Sequence, residues 1–274
     1  MADISAKEVM ALRNKTGLSM MECKKALVET GGDVGAAEEA LRKKMKGKMD
    51  TRTDRVAGEG RVTIEIEGSK AAIVELRAET DFTAKNDAFG SAATAVAKLV
   101  VAEPAGEVST NDAMSKVVDE LRISTGENVS VARAEALEGG TFGSYVHHDG
   151  KTAVLVQCEG DVPHEVMRDI CMHITAAVPR PEGVTRDDVP ADVIEKEKRL
   201  AKEMAMEQGK PEEIAEKIVE GKVNKLYEDL ALLEQAFVKD PNVKIKELLP
   251  SGTTVKAFRR WTVGETATAE AAAS

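Results

Sequence analysis

One aromatic side chain stands out in a polar stretch of the sequence. Phe82 is one of only eight aromatic residues in the chain, and its neighbours are mainly polar. The segment consists of Thr80, Asp81, Phe82, Thr83, Ala84, Lys85 and Asn86. An apolar ring on a polar turn is unfavourable in water unless a partner covers it. The segment is therefore a candidate binding loop with Phe82 at its tip.

Two plainer interpretations of this loop remain open at the level of sequence. Asp81 could cap the helix that follows, since Asp is a favoured N-cap residue. Phe82 could fold under its own loop. The flanking patterns fit any of these interpretations, because the apolar run 71–76 indicates a buried strand and the alanine-rich run after residue 86 indicates a helix.

The remaining residues that could do chemistry are not spaced for catalysis or metal binding. The histidines are His147, His148, His164 and His173, and the cysteines are Cys23, Cys158 and Cys171. The sequence contains no phosphate-binding loop, dinucleotide-binding glycine pattern or metal-ligand spacing. We predict a protein that is not an enzyme, needs no cofactor or metal, and buries its cysteines as free thiols. An unrecognised enzyme would instead need a deep polar pocket around His147.

Composition and charge restrict the class of protein. A length of 274 residues is enough for two or more cores. The net charge of −10 argues against non-specific nucleic-acid binding as the main activity. The chain lacks an apolar run of about 18 residues, and its first residues do not resemble a signal peptide. These features predict a soluble cytoplasmic protein that does not enter membranes.

The first 45 residues have the pattern of a three-helix module. Ser5 and Ser19 each precede a Glu by three residues, as in a capping box, and Gly17 is a stop signal. Met20 and Met21 adjoin in the second predicted helix and cannot both face one core. At least one of them should be exposed, where Met suits an adaptable protein contact, although core packing is the simpler interpretation.

The rest of the chain predicts an α+β fold with a two-part core. A basic linker spans 46–59, and an alternating strand pattern begins near residue 60. A strand hairpin, helices and a further strand occupy 60–140, and the same order recurs in 141–187 and 233–264, giving small, mainly antiparallel sheets. Residues 188–232 predict an inserted antiparallel helical hairpin, a short coiled coil with Val193, Leu200 and Met204 in its seam. Residues 265–274 predict a flexible tail.

Three stretches resemble the bacterial elongation factor Ts family. They are residues 12–17 with 20–27, residues 80–86, and residues 143–147 together with 208–221. The resemblance extends from residue 1 to about 264. It implies an N-terminal ubiquitin-associated-like three-helix module, a two-part core and a helical hairpin. It also implies guanine-nucleotide exchange on elongation factor Tu through protein–protein contact.

The resemblance further implies roles for individual residues. Leu12, Met20 and Met21 would pack on the GTP-binding domain of elongation factor Tu, in its GDP-bound or nucleotide-free form. Residues 80–86 would bring Asp81 and Phe82 near the magnesium site of that partner. His147, preferred to His148 for its distance from Tyr145, would press near the phosphate-binding loop. Thr83 stands where the family usually has valine.

A different class of function is also compatible with the sequence. The N-terminal helices and the basic linker could form a module that binds nucleic acid or peptide, and salt-dependent RNA binding would favour it. The sequence leaves oligomeric state and possible self-association open, as well as the role of the hairpin.

Overall fold

The computed structural model describes residues 4–266 and shows an α+β fold. The chain forms two compact units. Unit 1 contains the residues up to Glu65, then Ala72–Leu137, and the residues from Val263 onward. Unit 2 contains Ile66–Ala71 and Glu138–Thr262. In residues 4–266, no helix has both the length and the apolar character needed to cross a bilayer.

Unit 1 begins with three helices, α1 (Ala6–Thr16), α2 (Met20–Glu29) and α3 (Val34–Asp50). Ser5 and Glu8 form the predicted capping box, and Gly17 ends α1 with φ of 71°. The core of the three helices contains Leu12, Cys23 and Leu27. Helices this short depend on such mutual packing for their stability.

Helix α3 continues through residues 46–50, which the sequence predicted to be linker. Met45 and Met49 are both buried and lie four residues apart, on one face of the helix. Arg122 donates from Nη2 to the carbonyl of Met49 at 2.9 Å. Burial of this apolar face extends the helix to Asp50 despite its charged composition.

The first sheet of the core has the strand order β1-β2-β4-β3. Its elements are β1 (Glu59–Glu67), β2 (Lys70–Ala78), α4 (Asp81–Ala84), α5 (Asp87–Val101), β3 (Gly106–Glu107), α6 (Asp112–Thr125) and β4 (Ser130–Glu138). Val74 and Leu76 of β2 share one apolar cluster with Phe89 and Val96 of α5. The helices therefore cover the face on which the apolar side chains of β2 lie.

The second sheet has the antiparallel order β5-β6-β9. The elements from residue 141 onward are β5 (Thr141–Val146), β6 (Thr152–Glu159), α7 (His164–Ala176), α8 (Ala191–Glu207), α9 (Glu212–Leu230), β7 (Ala236–Phe237), β8 (Asp240–Lys244), α10 (Ile245–Leu248) and β9 (Thr254–Thr262). In both sheets the closing strand lies beside the second strand of a hairpin. The predicted two-part core of small sheets is confirmed, whereas the short β7–β8 hairpin was not predicted.

The cysteines are free and buried, as expected. Cys158 and Cys171 belong to the apolar core of unit 2, and Cys23 to that of the three-helix module. Burial raises the pKa of the Cys158 thiol to about 11. Such thiols behave as small apolar core residues.

The inserted helical hairpin is formed by α8 and α9, but its seam differs from the prediction. Ile194, Ala201 and Ala205 of α8 are buried, together with Ala215 of α9. Leu200 and Met204, predicted in the seam, are 41% and 56% exposed. The buried face is rotated by one residue, because alanine side chains let two helices approach closely where larger side chains would separate them.

The predicted flexible tail falls largely outside the described residues. Its first two residues, Glu265 and Thr266, are held in unit 1: Arg77 donates from Nη2 to the Thr266 hydroxyl at 2.9 Å, and Arg133 lies 3.7 Å from the Glu265 carboxylate. Residues 267–274 are not among those described. The domain boundaries that the sequence suggests stay a prediction.

Candidate functional site

The segment around Phe82 forms a single turn of helix, α4, and not an irregular loop. Thr80 is its N-cap, with extended backbone, and the Thr80 hydroxyl accepts a hydrogen bond from the Thr83 amide at 3.4 Å. Thr83 and Ala84 are buried under the turn. A four-residue helix is unstable alone, so these buried side chains and the cap must hold it. We call residues 80–86 the Phe82 turn.

Phe82 itself projects into solvent from this turn, with 84% of its surface exposed. The interpretation that Phe82 folds under its own loop is therefore wrong. The buried positions of the turn are taken by Thr83 and Ala84, which leaves the adjacent ring on the outer side. An exposed aromatic ring of this kind is typical of a contact with another protein.

Asp81 does not cap a helix, contrary to one of the two plainer interpretations. Thr80 caps α4, and Asn86 caps α5 by accepting from the Ala88 amide at 2.9 Å. Asp81 instead accepts a hydrogen bond from the Lys85 ammonium at 2.7 Å. This bond lowers the pKa of Asp81 and raises that of Lys85. The turn thus presents an ionised carboxylate beside an exposed ring.

A carboxylate from a distant part of the chain binds the start of the turn. Glu127 accepts from the Thr80 amide at 3.1 Å and from the Thr80 hydroxyl at 2.6 Å. Glu79 in turn accepts from the Asn128 amide at 2.6 Å. Glu127 and Asn128 were not predicted as part of the site, because their proximity to Thr80 depends on the pairing of β2 with β4 and leaves no spacing signal in the sequence.

The three-helix module carries several exposed apolar side chains. Met20 and Met21 are 38% and 76% exposed, so both reach the surface to different extents. Met10 and Val28 are exposed as well; they were not predicted, although each lies off the apolar stripe of its helix. Leu12 is fully buried, so its part in any contact can only be to support the helices that carry the exposed residues.

His147 lies in unit 2, in the turn that joins β5 to β6. Its amide donates to the Thr152 carbonyl at 2.8 Å, and its Nδ1 lies 3.2 Å from the Tyr145 hydroxyl. The His148 ring packs edge-on against His147, with ring centroids 4.4 Å apart, and is more exposed. The structure therefore fixes His147 by two hydrogen bonds at the tip of a hairpin.

Three clefts in the described part of the chain do not include His147. A cleft of about 670 Å³ is lined by residues of α1, α3 and α6, one of about 260 Å³ by His173 and its neighbours, and one of about 550 Å³ by α8 and α9. In residues 4–266, no group of three or more His, Cys, Asp or Glu side chains is arranged to hold a metal ion.

Several cations of the basic stretch are paired with carboxylates. Lys46 lies 2.8 Å from Asp119, and Arg42 lies 3.3 Å from Glu120. Arg55 lies 3.3 Å from the carboxylate of Glu79. These pairs reduce the uncompensated positive charge that the sequence suggested for a nucleic-acid contact.

A comparison with known protein families identifies the chain. The family model for elongation factor Ts matches residues 79–265, which is more than half of the chain and begins at the Phe82 turn. Members of that family bind elongation factor Tu and act as guanine-nucleotide exchange factors in translation elongation, without covalent chemistry. The fold agrees, with its small antiparallel sheets and helices. The chain belongs to the elongation factor Ts family.

Proposed function

We propose that this chain promotes GDP release from elongation factor Tu by placing Phe82 against the magnesium and phosphate site of that partner. The observation that carries the proposal is the exposure of Phe82, 84%, on a turn whose other residues are capped, paired or buried. The ring can bury a large apolar area in a partner, and the capped, partly buried turn that carries it needs little reordering on binding.

The charge beside the ring supports the same site of action. The pKa of Asp81 is lowered, so its carboxylate is ionised at physiological pH. GDP is held by Mg²⁺ and by backbone donors of a phosphate loop. A carboxylate that enters this region would compete with the nucleotide phosphates for these groups, and an aromatic ring beside it would displace neighbouring groups and disturb the geometry of the metal site.

Two further surfaces are proposed as companion contacts. Met20 and Met21 on α2 supply flexible apolar area of the kind used in protein contacts. His147, fixed at a hairpin tip, would contact the partner independently of the Phe82 turn. The remaining residues of that turn, including Lys85 and Asn86, are proposed to support the contact by maintaining its shape.

The proposed mechanism follows from linkage between two binding equilibria. If the factor weakens nucleotide binding, nucleotide must weaken factor binding by the same factor. A transient ternary complex then allows either component to leave. The factor accelerates GDP release and leaves the equilibrium between GDP and GTP unchanged, so no covalent step is required.

The test is stopped-flow release of a fluorescent GDP analogue from elongation factor Tu. We expect the unmodified chain to accelerate release, and Phe82→Ala to lower the rate at saturating factor roughly tenfold or more, in the range of an interface hot spot. Val56→Ala is the matched control, because Val56 is an apolar side chain with a similar exposure of 86%. No acceleration by the unmodified chain, or full acceleration by Phe82→Ala, would refute the mechanism.

A further inference from the structure

We infer that Glu127 is a positioning residue, which keeps the Phe82 turn in its binding conformation before the partner arrives. The inference rests on the function proposed for Phe82. Glu127 is half-buried and belongs to a different segment of the chain, between α6 and β4. It acts on Phe82 only through Thr80.

The carboxylate of Glu127 accepts hydrogen bonds from both donors of the cap residue Thr80, its amide and its hydroxyl. Its Oε2 accepts from the Thr80 amide at 3.1 Å, and its Oε1 accepts from the Thr80 hydroxyl at 2.6 Å. The Thr80 hydroxyl therefore donates its hydrogen bond to Glu127. This bond orients the hydroxyl so that an oxygen lone pair faces the Thr83 amide, 3.4 Å away. Hydrogen bonds to an ionised acceptor are stronger than neutral ones. Without Glu127, the hydroxyl could rotate and the cap would lose its fixed direction.

The segment that carries Glu127 is itself held on both sides. Gly126 ends α6 with φ of 73°, and its carbonyl accepts from Arg52 Nη1 at 2.6 Å. On the other side, the Asn128 amide donates to Glu79 at 2.6 Å, and the Asn128 side chain donates to the carbonyl oxygens of Thr53 and Arg55. Glu127 thus offers its carboxylate from a fixed backbone.

Glu79 and Glu127 act as a reciprocal pair. β2 and β4 are neighbours in the first sheet, and residues 79–80 follow β2 while residues 127–128 precede β4. Beyond the ends of the strands, each carboxylate accepts from the backbone of the other segment. Side-chain bonds therefore continue the strand pairing to the base of the Phe82 turn.

This arrangement should act on apparent affinity and not on the maximal rate. If the ordered turn is only partly populated, the apparent dissociation constant rises by the inverse of that population. Once the partner is bound, the ring occupies the same place and GDP release should proceed as before. Loss of Glu127 would therefore have a different kinetic signature from loss of Phe82.

The experiment measures stimulated GDP release over a range of factor concentrations, together with hydrogen exchange of the Thr80 amide in the free factor. For Glu127→Ala we expect the half-saturating concentration to rise roughly tenfold, with a saturating rate within about twofold of the unmodified chain. Glu127→Gln keeps the shape of the side chain and loses its charge. Its half-saturating concentration should lie between those of the unmodified chain and Glu127→Ala. Exchange of the Thr80 amide should accelerate in both variants, and more in Glu127→Ala than in Glu127→Gln.

Two comparisons separate positioning from a general loss of stability. Asp188 accepts from the Thr185 amide and hydroxyl, both at 2.8 Å, which is the same two-donor arrangement in unit 2. Asp188→Asn should leave the half-saturating concentration and Thr80 exchange unchanged. In addition, the effect of Thr80→Val combined with Glu127→Ala on the half-saturating concentration should be smaller than the product of the two single effects, because the bond between the Thr80 hydroxyl and Glu127 is lost in either variant.

The outcomes distinguish this inference from the proposed function. A half-saturating concentration within twofold of the unmodified chain, or unchanged Thr80 exchange, in Glu127→Ala overturns the positioning role alone. A fall in the saturating rate without a change in half-saturation also overturns it. Failure of the unmodified chain to accelerate GDP release overturns the proposed function, and the inference with it.

Discussion

The hydrogen-bond partners of the buried His173 determine which nitrogen of its ring carries the proton. The ring is 1% exposed, and its Nδ1 accepts a hydrogen bond from the Val238 amide at 3.3 Å. The proton therefore lies on Nε2, which donates to Gln235 Oε1 at 2.8 Å. Gln235 Nε2 in turn donates to the carbonyl oxygens of Pro179 and Asp229. A neutral imidazole thus completes a polar network at the end of α9.

Protonation of His173 should weaken unit 2 in mild acid. Burial is the main cause that lowers the pKa of His173 below its ordinary 6.5, and the bond to Gln235 opposes it only in part. At pH values between the lowered pKa and 6.5, the unfolded chain binds more protons at this histidine than the folded chain does. The stability that the neutral His173 contributes is therefore fully present above pH 6.5 and is lost as the pH falls. The melting temperature should therefore decrease from pH 7 towards pH 5.

The control for this dependence is a second histidine of the same helix. His173→Gln should lower the melting temperature at pH 7 and flatten the part of the pH profile that His173 causes. His164→Gln removes an exposed imidazole from the first residue of α7 and should keep the profile of the unmodified chain. Equal profiles for His173→Gln and the unmodified chain between pH 7 and pH 5 would contradict the assignment.

At the scale of the elements, α7 can pack on β5 because position 143 is a glycine and has no side chain. A Cβ atom at Gly143 would overlap the Cβ atom of Met167, because the helix lies directly on the strand at this point. Gly143 and His147 belong to the same hairpin, so the close approach also sets the position of the candidate contact. The glycine is required here for space, and its backbone does not have a positive φ.

Two glycine substitutions should therefore change stability in opposite directions. Gly143→Ala should destabilise the protein by about 1–3 kcal/mol, since an overpacked core must shift. Gly221→Ala lies in α9, where an added Cβ meets nothing within 4 Å, and should stabilise it by about 0.5–1 kcal/mol. Denaturant unfolding of both variants measures the difference. A neutral Gly143→Ala would show that α7 can move away from β5 at little cost.

Local patterns predicted most elements because they depend on neighbouring residues. The Ser5 cap, the Gly17 stop and the alternation from residue 60 all act within a few positions. The predictions failed where tertiary packing decides. In α8, the sequence offered two apolar faces one residue apart, and only the approach of α9 selects Ala201 and Ala205 over Leu200 and Met204. The Phe82 turn was predicted as a candidate contact, whereas Glu127 could not be, since the sheet brings it there.

For the molecule as a whole, the two proposed contacts belong to different compact units. Phe82 is held in unit 1 through Thr80 and Glu127, and His147 is held in unit 2 through Thr152 and Tyr145. Different sets of hydrogen bonds support them. A substitution in one contact should therefore leave the local structure of the other unchanged.

This separation predicts independent effects on nucleotide exchange. His147→Ala should slow GDP release from elongation factor Tu by roughly threefold to tenfold, and its effect should multiply with that of Phe82→Ala, because free energies of independent sites add. Stopped-flow release with the single and double variants gives the coupling energy. His148→Ala is the matched control and should have less effect, since His147 is the histidine bonded to Tyr145. A double variant no slower than Phe82→Ala alone would mean that His147 acts only after Phe82 is in place, so that the two contacts form one coupled surface and not two separate ones.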